Sequence, residues 1–225
     1  MSNSKLVAYT KISPNAGNYD KNGKFLGRNR THKIDTITIH CVVGQCSVET
    51  LGNIFQNNGA SCNYAIGFDG RIALIVDENE RSWCSSNGDN DNRAITIECA
   101  SDNFSPYKVN DEVYKSLINL LTDICIRNHI KKLLWRADKK LVGKTDKQNM
   151  TVHRWFANKA CPGQYLYDRF GQIADEVNER LKPNDTVNNG FYRVQVGAFK
   201  NKEYAEKYIE KLKENGFNAF IVKVK

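Results

Sequence analysis

The chain has 225 residues, 40% of them hydrophobic, and 33 lysines and arginines against 25 aspartates and glutamates give a formal net charge of +8. A mean hydropathy of −0.57 and a pI of about 9.1 fit a globular chain with a real core, long enough for one sizeable domain and a smaller second one. No stretch approaches the roughly 18 consecutive apolar residues that a membrane span requires, so no membrane insertion is expected. The polar start, "MSNSKLVAYTKISPNAGNYDKNGK", lacks the apolar region of a secretory signal, and cytoplasmic synthesis is expected. Without an export signal, the seven irregularly spaced cysteines read as free thiols or metal ligands rather than a disulfide framework. The positive charge points to a polyanionic partner, whether nucleic acid, an anionic membrane or a bacterial wall, and does not choose among them.

In chain order, "DTITIHCV" (35–42) alternates and is rich in β-branched residues, which predicts a strand. "SVETLGNIFQNNGA" (47–60) predicts a helix that Ser47 caps and Gly59 ends. "CNYAIGFDGRIALIV" (62–76) predicts a β-hairpin around Asp69-Gly70. "RAITIECA" (93–100) predicts a second strand. "NDEVYKSLINLLTDICIRN" (110–128) carries a helical apolar stripe at 113, 117, 120, 121 and 124. "YLYDRFGQIADEVNERL" (165–181) repeats a helical spacing at 166, 170, 174, 178 and 181. Strands mixed with long helices predict an α/β domain over residues 1–181, a central mixed β-sheet flanked by helices. Residues 182–190, with Pro183, Gly190 and no apolar period, read as a linker. Beyond it, "FYRVQVGAF" and "FNAFIVKV" read as strands on either side of a helix, "NKEYAEKYIEKLKENG", capped by Asn201 and stopped by Gly216. One such βαβ unit (191–225) cannot bury its own sheet. It must dock on the first domain, pair with a second copy to give a homodimer, or belong to a larger module.

The chemistry concentrates in "TVHRWFANKACPG" (151–163). A catalytic zinc takes imidazole and thiolate ligands at three corners of a tetrahedron and keeps the fourth for water. His40, at the end of the first predicted strand, with His153 and Cys161 would supply a His2Cys shell. The open position would then hold a water of lowered pKa. By spacing alone the set competes with a locally satisfied histidine and a small cysteine before a turn. Glu98 is a carboxylate among apolar strand residues. If it faces a cavity, burial raises its pKa and suits it to proton transfer; if it shares the solvent face of Thr96, it does nothing of the kind. Lys159 is placed to polarise a carbonyl beside the metal, or is one surface lysine among many.

Four stretches in this order, "TITIHCV", "GASCNYAIGFDGRI", "NRAITIECA" and "TVHRWFANKACPG", resemble the zinc-dependent N-acetylmuramoyl-L-alanine amidases of the type-2 family, which includes phage lytic amidases and is related to peptidoglycan-recognition proteins. The resemblance spans roughly residues 30–181. It implies a mixed sheet flanked by helices, with Zn2+ in a groove on the sheet. It implies hydrolysis of the amide between N-acetylmuramic acid and L-alanine in bacterial peptidoglycan. It further implies His40, His153 and Cys161 as zinc ligands, Glu98 as the base that part of the family uses, and Lys159 as stabiliser of the tetrahedral intermediate. Trp83 and Asn63 are the substrate-binding candidates, Trp83 either lining the groove or packing in the core. The chain departs from the family at three places: Cys62 stands where some phage members have a catalytic tyrosine, Cys84 where many have a histidine, and Cys41 where many have a second histidine. Tyr64, two positions after Cys62, reads as packing.

The tail resembles one half of the sporulation-related repeat (SPOR) domain, carried by "YRVQVGAF", which implies binding to peptidoglycan glycan chains. The expected function is wall lysis by a phage endolysin that acts after holin release. A host autolysin of the same activity is the nearest alternative, followed by a non-catalytic peptidoglycan-binding module, against which the full ligand set argues. A nucleic-acid binder rests on net charge alone, with no basic-aromatic module to support it.

Overall fold

Side chains alternate across a strand, and two six-residue stretches use that alternation to separate packing from chemistry. Ile37, Ile39 and Cys41 on one strand and Ile95, Ile97 and Cys99 on the next point to one face and are buried there. Thr36, Thr38 and His40, with Thr96 and Glu98, point to the other.

The computed structural model describes residues 2–182 and 195–222. The chain divides into two compact units, Met1–Lys182 and Pro183–Lys225. In chain order the first unit contains β1 (Val7–Thr10), β2 (Asn18–Tyr19), β3 (Phe25–Gly27), β4 (Thr36–Cys41), α1 (Val48–Asn57), β5 (Tyr64–Ile66), β6 (Ile72–Leu74), α2 (Gly88–Arg93), β7 (Ala94–Cys99), α3 (Asp111–Arg127), β8 (Met150–Thr151), α4 (Gly163–Tyr167) and α5 (Phe170–Leu181). Six strands form one mixed sheet in the order β1-β6-β5-β7-β4-β8, and β2 and β3 form a separate small ribbon. Only the β5–β6 hairpin is antiparallel within the large sheet. This is the expected mixed sheet flanked by helices.

The apolar face of the sheet packs on α3 and α5 through Leu117, Leu121, Ile124, Phe170, Ile173 and Val177. Full burial of each such side chain contributes about 1.5–3 kcal/mol. A smaller cluster, with Val48, Leu51 and Phe55 of α1 against Ala65, Ala73 and Ile75, covers part of the opposite face. Ser47 caps α1 by accepting from Thr50 N, and Asn110 caps α3 by accepting from Val113 N; such caps stabilise a helix by about 1 kcal/mol each. Gly70 closes the hairpin at φ 79°, where its N–H donates to Gly67 O.

The helix expected over 165–181 is two helices. The chain turns at Asp168 and Arg169 between α4 and α5, so that Leu166 and Phe170 both enter the core. Asn178, within the expected spacing, is a polar anchor instead: it accepts from Leu133 N and donates to Leu133 O, while Ile173 and Val177 take the core positions. In the second unit, α6 (Lys202–Glu214) is capped by Asn201, which accepts from Glu203 N. The strands expected over 191–199 and 217–224 are corrected in part: residues 195–199 and 217–222 form no strand, and 191–194, 223 and 224 lie outside the described residues. A strand needs a neighbour to take its backbone hydrogen bonds, and none is provided among the described residues of this unit. Val196, Phe199, Phe217, Phe220 and Ile221 remain exposed.

Candidate metal centre

Parallel register brings His40 directly opposite Glu98 on adjacent strands. The His40 imidazole is fully buried, with Nδ1 3.9 Å from Glu98 Oε1 and 3.3 Å from Cys161 Sγ. Cys161 arrives from a different part of the chain. After β8, residues His153–Trp155 form a 3-10 turn, and Trp155 pins it to the core by stacking on Trp135 with ring centroids 5.2 Å apart. Arg154 then closes the loop: its N–H donates to Cys161 O at 3.2 Å and its Nη2 to Ala160 O at 2.8 Å. The far end is fixed by Gly163, at φ 79°, where an added Cβ would lie 2.7 Å from Tyr107 Cβ.

Those constraints bring a ligand atom of each of His40, His153 and Cys161 within 4.8 Å of the others. Around a tetrahedral metal with bonds of about 2.0–2.3 Å, ligand atoms stand about 3.3–3.8 Å apart, so the three need only small adjustments to share one ion. Two buried atoms beside them, His40 Nε2 and Glu98 Oε2, have no protein hydrogen-bond partner. The two-nitrogen, one-sulfur donor set and these unpaired polar atoms fit zinc.

Burial holds the His40 imidazole down to about 3, with His153 adding to the effect, so the ring is neutral and able to ligate. Burial also lowers His153, and the Lys159 ammonium lowers it further. Burial pushes the Cys161 thiol up, and Cys41 hydrogen-bonds to it. Glu98 rises to about 8, chiefly by burial and also through repulsion from Cys41. A nearby cation would reverse that direction by favouring the carboxylate.

The structure therefore gathers His40, His153, Cys161 and Glu98 at one place, and Lys159, although exposed, is close enough for its charge to act on His153. Trp83 immediately precedes the site-lining Cys84. It is half-buried, its Nε1 donates to Gly17 O at 2.9 Å, and its ring tilts against Tyr19. Asn63 is placed elsewhere. It is fully buried, its Oδ1 accepting from Arg30 Nη2 and Thr96 N and its Nδ2 donating to Asp77 O. It presents nothing to a substrate and pins the sheet instead. Tyr64 is likewise interior, donating to Glu78 at 2.6 Å.

Several contributors have no motif to announce them. Cys84 Sγ lies 3.8 Å from Glu98 Oε1. Ser86 Oγ lies 3.0 Å from His153 Nε2. Beneath them Thr38, Thr151 and Asn90 close a buried ring of hydrogen bonds at 2.8, 2.9 and 3.0 Å. The parity of Thr38 and Thr96 with His40 and Glu98 was the available signal: a polar and mostly buried sheet face needs partners.

Residues 30–164 match the family described as N-acetylmuramoyl-L-alanine amidase, and residues 180–225 match the SPOR domain. Among solved structures, the endolysin N-acetylmuramoyl-L-alanine amidase LysCS from Clostridium intestinale aligns at 16% identity over 75% of this chain and 97% of its own, with a TM-score of 0.50. The Drosophila peptidoglycan recognition protein PGRP-SA aligns at 18% identity over 72% and 90%, with a TM-score of 0.49. A mutant endolysin from Bacillus subtilis aligns at 17% identity over 75% and 97%, with a TM-score of 0.47. No curated protein sequence matches the chain.

Proposed function

Since the chain belongs to the N-acetylmuramoyl-L-alanine amidase family, we propose that it is a zinc hydrolase that cleaves the amide between N-acetylmuramic acid and L-alanine in bacterial peptidoglycan. The convergence of His40, His153 and Cys161 beside the largely buried Glu98 carries this reading. Zinc, when bound, supplies Lewis-acid polarisation of the scissile carbonyl and a water of lowered pKa. His40, His153 and Cys161 hold it. Glu98 accepts the proton of the attacking water and returns it to the departing alanine amine. Its neighbours, Cys84 Sγ and His40, leave Oε2 without a protein partner. The Lys159 ammonium stabilises the developing oxyanion, and the exposed part of Trp83 offers an apolar wall to the substrate.

In this reading residues 1–181 are the catalytic domain, 182–190 a linker and 191–225 a wall-binding unit. The apolar residues exposed in the last are covered by the same unit of a second copy, and sedimentation velocity should then show a dimer that is lost when residues 191–225 are removed. An endolysin released by a holin accounts for lysis from within; a host autolysin would use the same chemistry.

The test is digestion of purified walls with analysis of the released ends and parallel zinc determination. The wild type should hold about one zinc and free peptides with new L-alanine amino termini. Cys161→Ala should lose both, and Lys159→Met should keep zinc and lose rate. A wild type that holds zinc and cuts no wall would favour a recognition module; one that holds none would refute the metal assignment.

A further inference from the structure

Ser86 occupies the left-handed region, at φ 62°, a conformation that glycine and asparagine adopt more readily than serine. The neighbouring segment over-determines it. Cys84 N and Ser85 N both donate to the buried Asp91 carboxylate at 3.1 Å. Ser85 Oγ accepts from Asn90 Nδ2 at 3.1 Å, and Asn87 caps α2 by accepting from Asn90 N at 2.9 Å. The first turns of α2 thus clamp residues 84–87 from below. The outcome is a single directed contact across 67 positions of sequence: Ser86 Oγ stands 3.0 Å from Nε2 of His153.

A histidine that ligates through one ring nitrogen is oriented by the hydrogen bond its other nitrogen makes. His153 needs such an anchor more than His40 does. His40 is fully buried and held by its strand, whereas His153 is half-buried on a short 3-10 turn. We propose that Ser86 is a positioning residue of the metal centre. Its hydroxyl accepts the Nε2 proton of His153, fixes the ring's rotation and leaves Nδ1 as the nitrogen that binds the metal. This rests on the metal reading above and adds to it a residue outside the ligand set. The backbone conformation at 86 is what places the hydroxyl there.

The strained backbone supplies a discriminating test. In the full chain, zinc affinity is measured by competition with a chromophoric chelator for the wild type, Ser86→Gly, Ser86→Ala and Ser86→Asn, together with the melting temperature of each zinc-free protein. Ser86→Gly should melt no lower than the wild type, because glycine suits a positive φ, yet bind zinc about tenfold more weakly. Ser86→Ala should lose a similar factor, and Ser86→Asn, which tolerates this backbone and carries an acceptor, should recover part of it. A merely structural role would move melting and affinity together. Zinc affinity in Ser86→Gly within twofold of the wild type overturns the assignment. A wild type that takes up no zinc overturns the metal reading itself, and this one with it.

Discussion

Glu98→Gln in the zinc-free protein isolates the electrostatic consequence of the site's burial. Glu98 is raised from an ordinary 4.5 to about 8, and His40 is lowered from 6.5 to about 3. The unfolded chain releases the Glu98 proton above 4.5, whereas the folded chain retains it up to about 8, so this carboxyl's contribution to stability falls as pH rises across that window. For His40 the unfolded chain takes up a proton below 6.5 and the folded chain refuses it down to about 3, so stability falls as pH drops. Between 4.5 and 6.5 the two slopes oppose each other; between 6.5 and 8 the His40 contribution is gone and that of Glu98 remains. At about 1.4 kcal/mol per pH unit, the loss over that last interval is about 2 kcal/mol. For a unit of this size that lowers the melting temperature by about 4–8 °C. Thermal unfolding of chelator-treated protein at pH 6.5 and pH 8 should show this drop in the wild type and remove most of it in Glu98→Gln. Parallel pH dependences in the two proteins would refute the claim that Glu98 ionises against its surroundings.

Two further substitutions probe the scaffold that carries the site. Arg127→Ala should cost about 3–5 kcal/mol in urea unfolding, because fully buried Glu78 accepts from Arg127 Nη2 at 2.6 Å and Nη1 at 2.9 Å and would keep an uncompensated charge; a loss below about 1 kcal/mol would contradict this. Gly163→Ala should destabilise by about 1–3 kcal/mol through its positive φ and the 2.7 Å approach to Tyr107 Cβ. It should also weaken zinc binding in a calorimetric titration by displacing Cys161, and unchanged affinity would show that the turn and the ligand are uncoupled.

The long elements were legible because they are periodic. The alternation of "TITIHC" and "AITIEC" and the stripe of Asp111–Arg127 appear in the structure within a residue or two of their expected limits. Strands of two or three residues, such as β2, β3 and β8, and a helix of under two turns, such as α2, have too few residues to carry their period, and their placement comes from tertiary context. In the site, chemistry-bearing side chains with few alternative uses, His40, His153, Cys161 and Glu98, stood out in the sequence. Ser86 did not, because its role depends on an unusual φ and on a clamp from Asp91 and Asn90. Asn63 looked available in sequence for the opposite reason: an amide beside a motif gives no sign of whether its donors and acceptors are already paired in the interior. The tail's strands depended on a pairing partner that its described residues do not contain.

The register of His40 against Glu98 has a consequence for how this chain tolerates change. On both strands the residues flanking the reactive ones belong to the core cluster, so a slide by one position would turn the anchors toward the buried polar groups and sink the chemistry in oil. Hydrophobic packing thereby acts as the alignment jig for a reaction in which it takes no part. Sequence variation along these strands should fall into two interleaved classes: odd positions answering to melting temperature, save Cys41, which hydrogen-bonds to Cys161, and even positions answering to turnover and metal content.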